Sequence, residues 1–162
     1  MIRARRFSFL FIALASATAA APQSLGVFGG WGAFAGDGRC YAISEPAEAV
    51  TALPWRPFAS VGHWTSRRAG GQLHVRLSRE KRQGSAVLLR IDGRSFQLTG
   101  GGRDAWAPDG GADAEIQTAM RTGIDLVVET RAADGLQVRD LYRLRGAATA
   151  MDAAAIACAP RR

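Results

Sequence analysis

Two cysteines, Cys40 and Cys158, are the side chains of this 162-residue chain whose chemistry is easiest to state. An even cysteine count is typical of disulfide pairing in exported proteins. Redox-active dithiols use the close spacing C-x-x-C, which this pair lacks. We predict a structural disulfide. In the chain-entropy view, closing a loop of this length stabilises the folded state by about 4 to 5 kcal/mol.

The two histidines, His63 and His74, fall in neighbouring predicted strands. If Trp64 faces Leu73 across the hairpin, the same register brings His63 beside His74. Three interpretations stay open: a metal site completed by a carboxylate, a pH-sensitive surface pair, and ordinary half-exposed sheet histidines. Because there is no third histidine, we predict no metal. We also predict no cofactor.

A basic segment and one tryptophan form a candidate binding surface together with the two histidines. The basic residues around this hairpin are Arg67, Arg68, Arg76, Arg79, Lys81 and Arg82. Such a patch suits lipid headgroups, polysaccharide or acidic protein, and the alternative is a solvated turn whose charges protect a sheet edge. Trp106 stands in the glycine-rich stretch "GGGRDAWAPDGG", which we predict to be a connecting loop. The other tryptophans are expected in the core.

Motifs of catalysis are not found in the sequence. It has no G-x-S-x-G, H-E-x-x-H, P-loop or dinucleotide-binding pattern. Asp104 with Asp109, or Asp134 with Asp140, could form an acid pair, but aspartates beside glycine usually make turns. We predict a non-enzymatic protein. The alternative is a hydrolase or metal-dependent enzyme acting on envelope polymers.

The first 20 residues have the pattern of a signal peptide. Three arginines precede the apolar run Phe7–Leu14, and small residues follow up to a predicted cleavage after Ala19 or Ala20. The run is too short for a permanent membrane span, and no later segment is apolar over the required length. We predict a periplasmic or secreted chain of residues 21–162 with no transmembrane segment.

Net charge does not indicate nucleic acid as a partner. The formal charge of +7 becomes +4 once the three arginines of the signal peptide are removed. A surplus of this size is ordinary for solubility and compatible with weak attraction to anionic surfaces. We therefore predict no nucleic-acid binding.

Glycine turns organise the mature sequence into antiparallel hairpins. Asp-Gly pairs at 37–38, 92–93 and 134–135 lie between apolar or alternating runs, which is a strong hairpin signal. The four predicted hairpins join "GVFGGWGAF" to "RCYAISEP", "SAVLLRI" to "RSFQLTG", "DLVVETRA" to "LQVRDLYRL" and, through Gly70-Gly71, "PFASVGHWT" to "QLHVRLSR". About eight strands of this kind predict an antiparallel β-sandwich or partly closed barrel.

Alternation predicts which strand residues enter the core. In the fourth hairpin Leu73, Val75 and Leu77 point one way, while His74, Arg76 and Ser78 point to solvent. In the third hairpin we expect Val127, Leu141 and Tyr142 in the core.

Two short helices accompany the strands, one of them C-terminal. In "GADAEIQTAMRTG" we predict Asp113 as the N-cap and Gly123 as the stop. In the tail, Thr149 and Asp152 resemble a capping box, and Met151, Ala155 and Cys158 fall on one helix face. These elements together predict a mostly β single domain over residues 21–162.

The stretches "WGAF", "RCYAISEP" and "LRGAATAMDAAAIAC" resemble the invasion-associated locus B family of exported alphaproteobacterial proteins. The resemblance covers about Gly26 to Ala159. It implies a small periplasmic or surface-associated β protein, linked in pathogenic relatives to host-cell invasion, and it brings no catalytic residues. We therefore predict an exported envelope or surface protein that acts as a monomer by binding a protein or envelope component. A structural envelope protein without a discrete ligand is the remaining alternative.

Overall fold

A computed structural model describes residues 21–48, 53–66 and 70–160 of the chain. The predicted signal peptide and the pair Arg67 and Arg68 lie outside these residues. The elements in chain order are β1 (Gln23–Phe28), β2 (Trp31–Gly36), β3 (Arg39–Ser44), β4 (Phe58–Trp64), β5 (Gln72–Arg76), β6 (Val87–Ile91), β7 (Arg94–Gly101), β8 (Asp104–Trp106), α1 (Gly110–Thr122), β9 (Asp125–Arg131), β10 (Gln137–Arg143) and α2 (Ala147–Ala157).

Within the described part of the chain, ten antiparallel strands form one sheet in the order β1-β2-β3-β4-β5-β8-β7-β6-β9-β10. Strand β7 joins two halves of this sheet, because its first residues pair with β6 and residues 99–101 pair with β8. The sheet does not close, although Trp31 Nε1 donates to the carbonyl of Arg143 over 2.9 Å. The fold is a mostly β, sandwich-like architecture with two helices, as predicted.

All four predicted hairpins are present, and two further strands raise the number above the predicted eight. The run "GVFGGWGAF" is two strands, β1 and β2, because the chain turns at Gly29 and Gly30 and pairs Phe28 with Trp31. The predicted loop around Trp106 is also wrong. Residues 104–106 form strand β8, which fills the place between β5 and β7.

The predicted register of the β4–β5 hairpin is wrong by three residues. Val61 pairs with Leu73, and His74 pairs with Ser60. Since an odd shift moves side chains to the opposite side of a strand, His63 and His74 lie on different faces of the sheet. The two histidines therefore do not form the predicted pair.

The hydrophobic core joins the inner sides of both sheet halves to the two helices. Leu73, Val75 and Leu77 are buried there as predicted. Tyr142 is buried as well, but Val127 and Leu141 pair with each other on the other side of their hairpin and are only half-buried. Other large core side chains include Trp31, Leu89, Ile91, Ile116, Met120, Leu126 and Met151.

Ser78 is the exception to the alternation predicted beyond β5. It is buried, and its amide donates to Asp140 over 2.9 Å, so the expected exposure of this residue is wrong. Burial raises the pKa of the Asp140 carboxyl.

Both helices begin earlier than predicted. The N-cap of α1 is Asp109, whose side chain accepts the amide of Ala112, while Asp113 sits inside the first turn. The predicted stop at Gly123 is confirmed. Helix α2 begins after Gly146, whose φ of 90° favours glycine, so Thr149 is not its cap. A side chain at Gly146 would also collide with the carbonyl of Phe28.

The predicted disulfide is confirmed. Cys40 in β3 is bonded to Cys158 at the C-terminal end of α2, with a Cα–Cα distance of 5.7 Å. The buried face of α2 carries Met151 as predicted, but with Ala154 in place of Ala155. Neither helix among the described residues has the length and apolarity that crossing a membrane requires.

Candidate binding surface

The side of β2–β5 and β8 that points away from the core carries a row of ring side chains. Strand alternation places them there, because Cys40, Ala42, Val61, Leu73 and Val75 take the inward positions. We name this row the aromatic face; its rings are Phe34, Tyr41, Phe58, Trp64, His74 and Trp106.

One end of the aromatic face is built around Arg39. The rings of Phe34 and Tyr41 stack with centroids 5.5 Å apart. The Arg39 guanidinium lies 5.0 Å from the Tyr41 centroid and 5.5 Å from the Trp64 centroid. Both distances are within the range of cation–π attraction, so the rings hold the guanidinium against the sheet.

The other end is built around His74. Its ring stacks on Trp106 with centroids 5.1 Å apart and planes 9° apart. Phe58 meets the same imidazole edge-on at 5.0 Å, and the Arg76 guanidinium lies 5.3 Å from the Phe58 centroid. Trp106 remains 37% exposed, so its free face is open to solvent.

Asp104 fixes the orientation of the His74 end. Its Oδ1 accepts from His74 Nε2 at 2.8 Å and from Arg76 Nε at 3.0 Å. Burial opposes ionisation of this carboxyl, but the hydrogen bonds from His74 and Arg76 outweigh burial and hold the pKa of Asp104 below its usual value. The carboxylate therefore sets the His74 ring against Trp106.

A groove of about 640 Å³ continues the aromatic face toward β1. Its apolar walls include Phe34, Ile43 and Phe58. The charged groups at its rim are neutralised within the protein, because Arg56 pairs with Glu45 and Arg143 pairs with Asp125. The groove is thus mainly apolar.

A second cavity, of about 440 Å³, lies between α1 and the β4–β5 hairpin, and we name it the helix-side cavity. Asp113, Gln117 and Arg121 line it from α1. Asp113 Oδ1 accepts the Leu73 amide at 2.7 Å, and burial raises the pKa of this carboxyl. Gln117 donates to the carbonyl of Gly71 at 2.7 Å. These polar groups therefore already connect the helix to the sheet.

His63 lies on the inner side of the sheet, opposite Cys40 in the strand register. Its Nε2 is buried with no hydrogen-bond partner among the described residues. Burial lowers the pKa of this imidazole, and the charge of Arg121 lowers it further. Both effects favour the neutral form of His63.

The predicted surface residues occupy three separate places. His74, Arg76 and Trp106 come together on the aromatic face, and His63 lies behind it. Arg79, Lys81 and Arg82 follow β5 in a separate segment, where Arg79 pairs with Asp134 at 2.9 Å. Of the tryptophans expected in the core, only Trp31 is fully buried, while Trp55 and Trp64 are half-buried.

No family model, curated protein or solved structure matches this chain. The candidate site is therefore assigned from its own geometry. Across residues 21–48, 53–66 and 70–160, no group of three or more histidine, cysteine, aspartate or glutamate side chains is placed to hold a metal ion. Binding by ring faces and guanidinium groups is what the aromatic face can do chemically.

Five members of this surface were missed at the level of sequence: Phe34, Arg39, Tyr41, Phe58 and Trp64, the last of which was expected in the core. A signal for two of them existed, because an inward Cys40 requires its neighbours Arg39 and Tyr41 to point outward. Phe58 carried no comparable signal. Its contact with His74 depends on the β4–β5 register, which hydrophobic alternation alone did not fix.

Proposed function

We propose that this chain is an exported, non-enzymatic envelope or surface protein of the invasion-associated locus B type, which binds an envelope component through the aromatic face. The observation that carries the proposal is the set of six rings outside the core on five strands, which form one stacked group around Arg39 and another around His74. Aromatic rings are usually buried in a core, and several rings left partly open to solvent on one sheet face are typical of a contact surface.

Three further observations support the proposal. The Cys40–Cys158 disulfide is typical of proteins that work in an oxidising compartment. The signal-like first 20 residues agree with periplasmic or secreted location. Asp113, the carboxyl with a raised pKa in the helix-side cavity, already accepts the Leu73 amide, so a structural role accounts for it without an enzymatic one.

The proposal is tested by comparing two double variants in a sedimentation assay with isolated envelope material. The first replaces Phe34 and Trp106 at the two ends of the aromatic face by alanine. The matched control replaces Leu136 and Ile156, which are 55% and 75% exposed apolar residues away from that face. Outer-membrane vesicles, peptidoglycan and extracted polysaccharide are used as separate fractions.

We expect the wild-type protein and the control to sediment with one fraction, and the aromatic-face variant to bind it at least about tenfold more weakly, since each buried aromatic contact contributes on the order of 1 kcal/mol or more. Equal binding by both variants would reject the surface. Binding of the wild-type protein to none of the fractions would favour a structural protein without a discrete ligand.

A further inference from the structure

Arg39 differs from Arg56, Arg76 and Arg143 because no carboxylate of the described residues neutralises it. Arg76 pairs with Asp104, Arg56 with Glu45, and Arg143 with Asp125. Among the described residues Arg39 has no ion pair, and its Nε is buried without a hydrogen-bond partner. The Nε atom is covered by the protein, whereas neither Nη atom is buried in this way, so the two Nη groups are the donors that remain open to a ligand.

The sheet beneath Arg39 and two neighbouring rings restrict the position of its guanidinium. Its side chain crosses Gly62, where an added Cβ would lie 3.4 Å from Arg39 Nε and 3.3 Å from the Trp64 ring. Tyr41 and Trp64 flank the group on either side. A planar guanidinium held in this way suits a carboxylate, which it can bind through two parallel hydrogen bonds.

We propose that Arg39, with Tyr41 and Phe34, binds the carboxylate and ring face of an acidic sugar in an anionic polysaccharide. This inference rests on the proposed function and names the envelope component that the aromatic face takes. The apolar face of a sugar ring packs on the stacked rings of Phe34 and Tyr41, while its hydroxyls remain in water. Its carboxylate supplies the partner that Arg39 lacks.

The chemistry of the surface favours a sugar over an acidic peptide. The strand amides below the rings pair with neighbouring strands, as the β3–β4 and β4–β5 ladders show. An extended peptide lying across the sheet would therefore bury its own amides without partners, which is costly. A sugar ring has no such requirement on its apolar face.

The charge of the surface argues against nucleic acid and anionic membranes. Both present many phosphates, and their binding depends on several free cations acting together. Around the aromatic face, the other arginines with carboxylate partners contribute little net charge. Among the described residues of this surface, Arg39 is the guanidinium without a carboxylate partner, and it matches one acidic group at a time.

The test measures binding of the full mature chain to oligogalacturonate and to its methyl ester, which has the same backbone but no charge. For the wild-type protein we expect the acid to bind about tenfold more tightly than the ester, the usual size for a hydrogen-bonded charge. Arg39→Gln should abolish this preference, and Arg39→Lys, which keeps the charge but loses the paired hydrogen bonds, should restore part of it.

Arg82→Gln is the matched control, because Arg82 is an exposed arginine in the segment after β5. It should leave the preference unchanged. Disulfide content and thermal unfolding of each variant verify folding. Equal binding of acid and ester, an equal loss in Arg82→Gln, or tighter Arg39-dependent binding to polyglutamate or anionic vesicles would overturn the proposal.

The proposed function fails separately, when the wild-type protein binds no envelope fraction. If an envelope fraction binds through the aromatic face while Arg39→Gln keeps its full affinity for that fraction, only the acidic-sugar inference is overturned.

Discussion

A single oxygen atom, Oδ1 of Asp104, organises the His74 end of the aromatic face. It accepts hydrogen bonds from both His74 and Arg76, and charge-assisted bonds of this kind are stronger than neutral ones. Because His74 is also stacked on Trp106, the carboxylate acts on a ring that it does not touch. Asp104 is therefore a positioning residue for Trp106.

Asp104→Asn tests this role through its dependence on pH. The pKa of Asp104 is lower in the folded protein than in the unfolded chain, where it is about 3.9. The ion pair therefore stabilises the fold at pH values above about 3.9. That contribution is lost as pH falls through the lowered folded pKa. We expect the variant to be less stable than the wild-type protein at pH 7 and the difference to vanish at strongly acid pH.

Urea unfolding of both proteins across this pH range, with the Trp106 environment followed by fluorescence, gives the measurement. A stability difference that stays constant with pH would contradict the assigned role of the Asp104 charge.

At the scale of elements, sequence patterns predicted which strands form hairpins better than they predicted the register of the paired strands. Asp37-Gly38 and Asp92-Gly93 fix their turns locally, since both residues of each pair adopt positive φ. The β4–β5 connection is longer, between Trp64 and Gln72, and its Gly70-Gly71 pair does not form a two-residue turn between the strands, so the register depends on packing against β8 and α1. This is why the His74 contacts could not be predicted, whereas the outward direction of Arg39 could.

Helix α1 is tied to the sheet by Asp113, which accepts the Leu73 amide at 2.7 Å. Asp113→Ala leaves that buried amide without a partner and should destabilise the protein by about 1–3 kcal/mol. Asp113→Asn keeps an acceptor oxygen and removes a charge whose burial is unfavourable, so its cost should be smaller.

Chemical denaturation of the two Asp113 variants at pH 7 gives the comparison. Equal losses of stability would show that the charge of Asp113, and not its acceptor oxygen, connects α1 to β5.

Across the whole molecule, three contacts join residues 31–47 to residues 141–158. Trp31 donates to Arg143, the amide of Ala47 donates to Leu141, and Cys40 is bonded to Cys158. Each spans most of the described sequence. Contacts between residues this far apart slow folding, because the loop must close before they stabilise anything.

Cys158→Ser should lower the free energy of unfolding by about 4 to 5 kcal/mol, as expected for a cross-link over 118 residues. This is comparable with the total stability of many small domains. Guanidinium unfolding with and without reductant measures it. Reductant should destabilise the wild-type protein by a similar amount and leave the variant unchanged; a variant that reductant still destabilises would contradict this account.

Strand β3 gives the disulfide a consequence for the biogenesis of the protein. Cys40 points inward between Arg39 and Tyr41, which point outward, so one short strand carries the disulfide on one side and part of the aromatic face on the other. A ribosome makes Cys158 long after Cys40. Before then no disulfide can restrain β3, so we expect the surface beside Arg39 to reach its final structure only after the bond has formed.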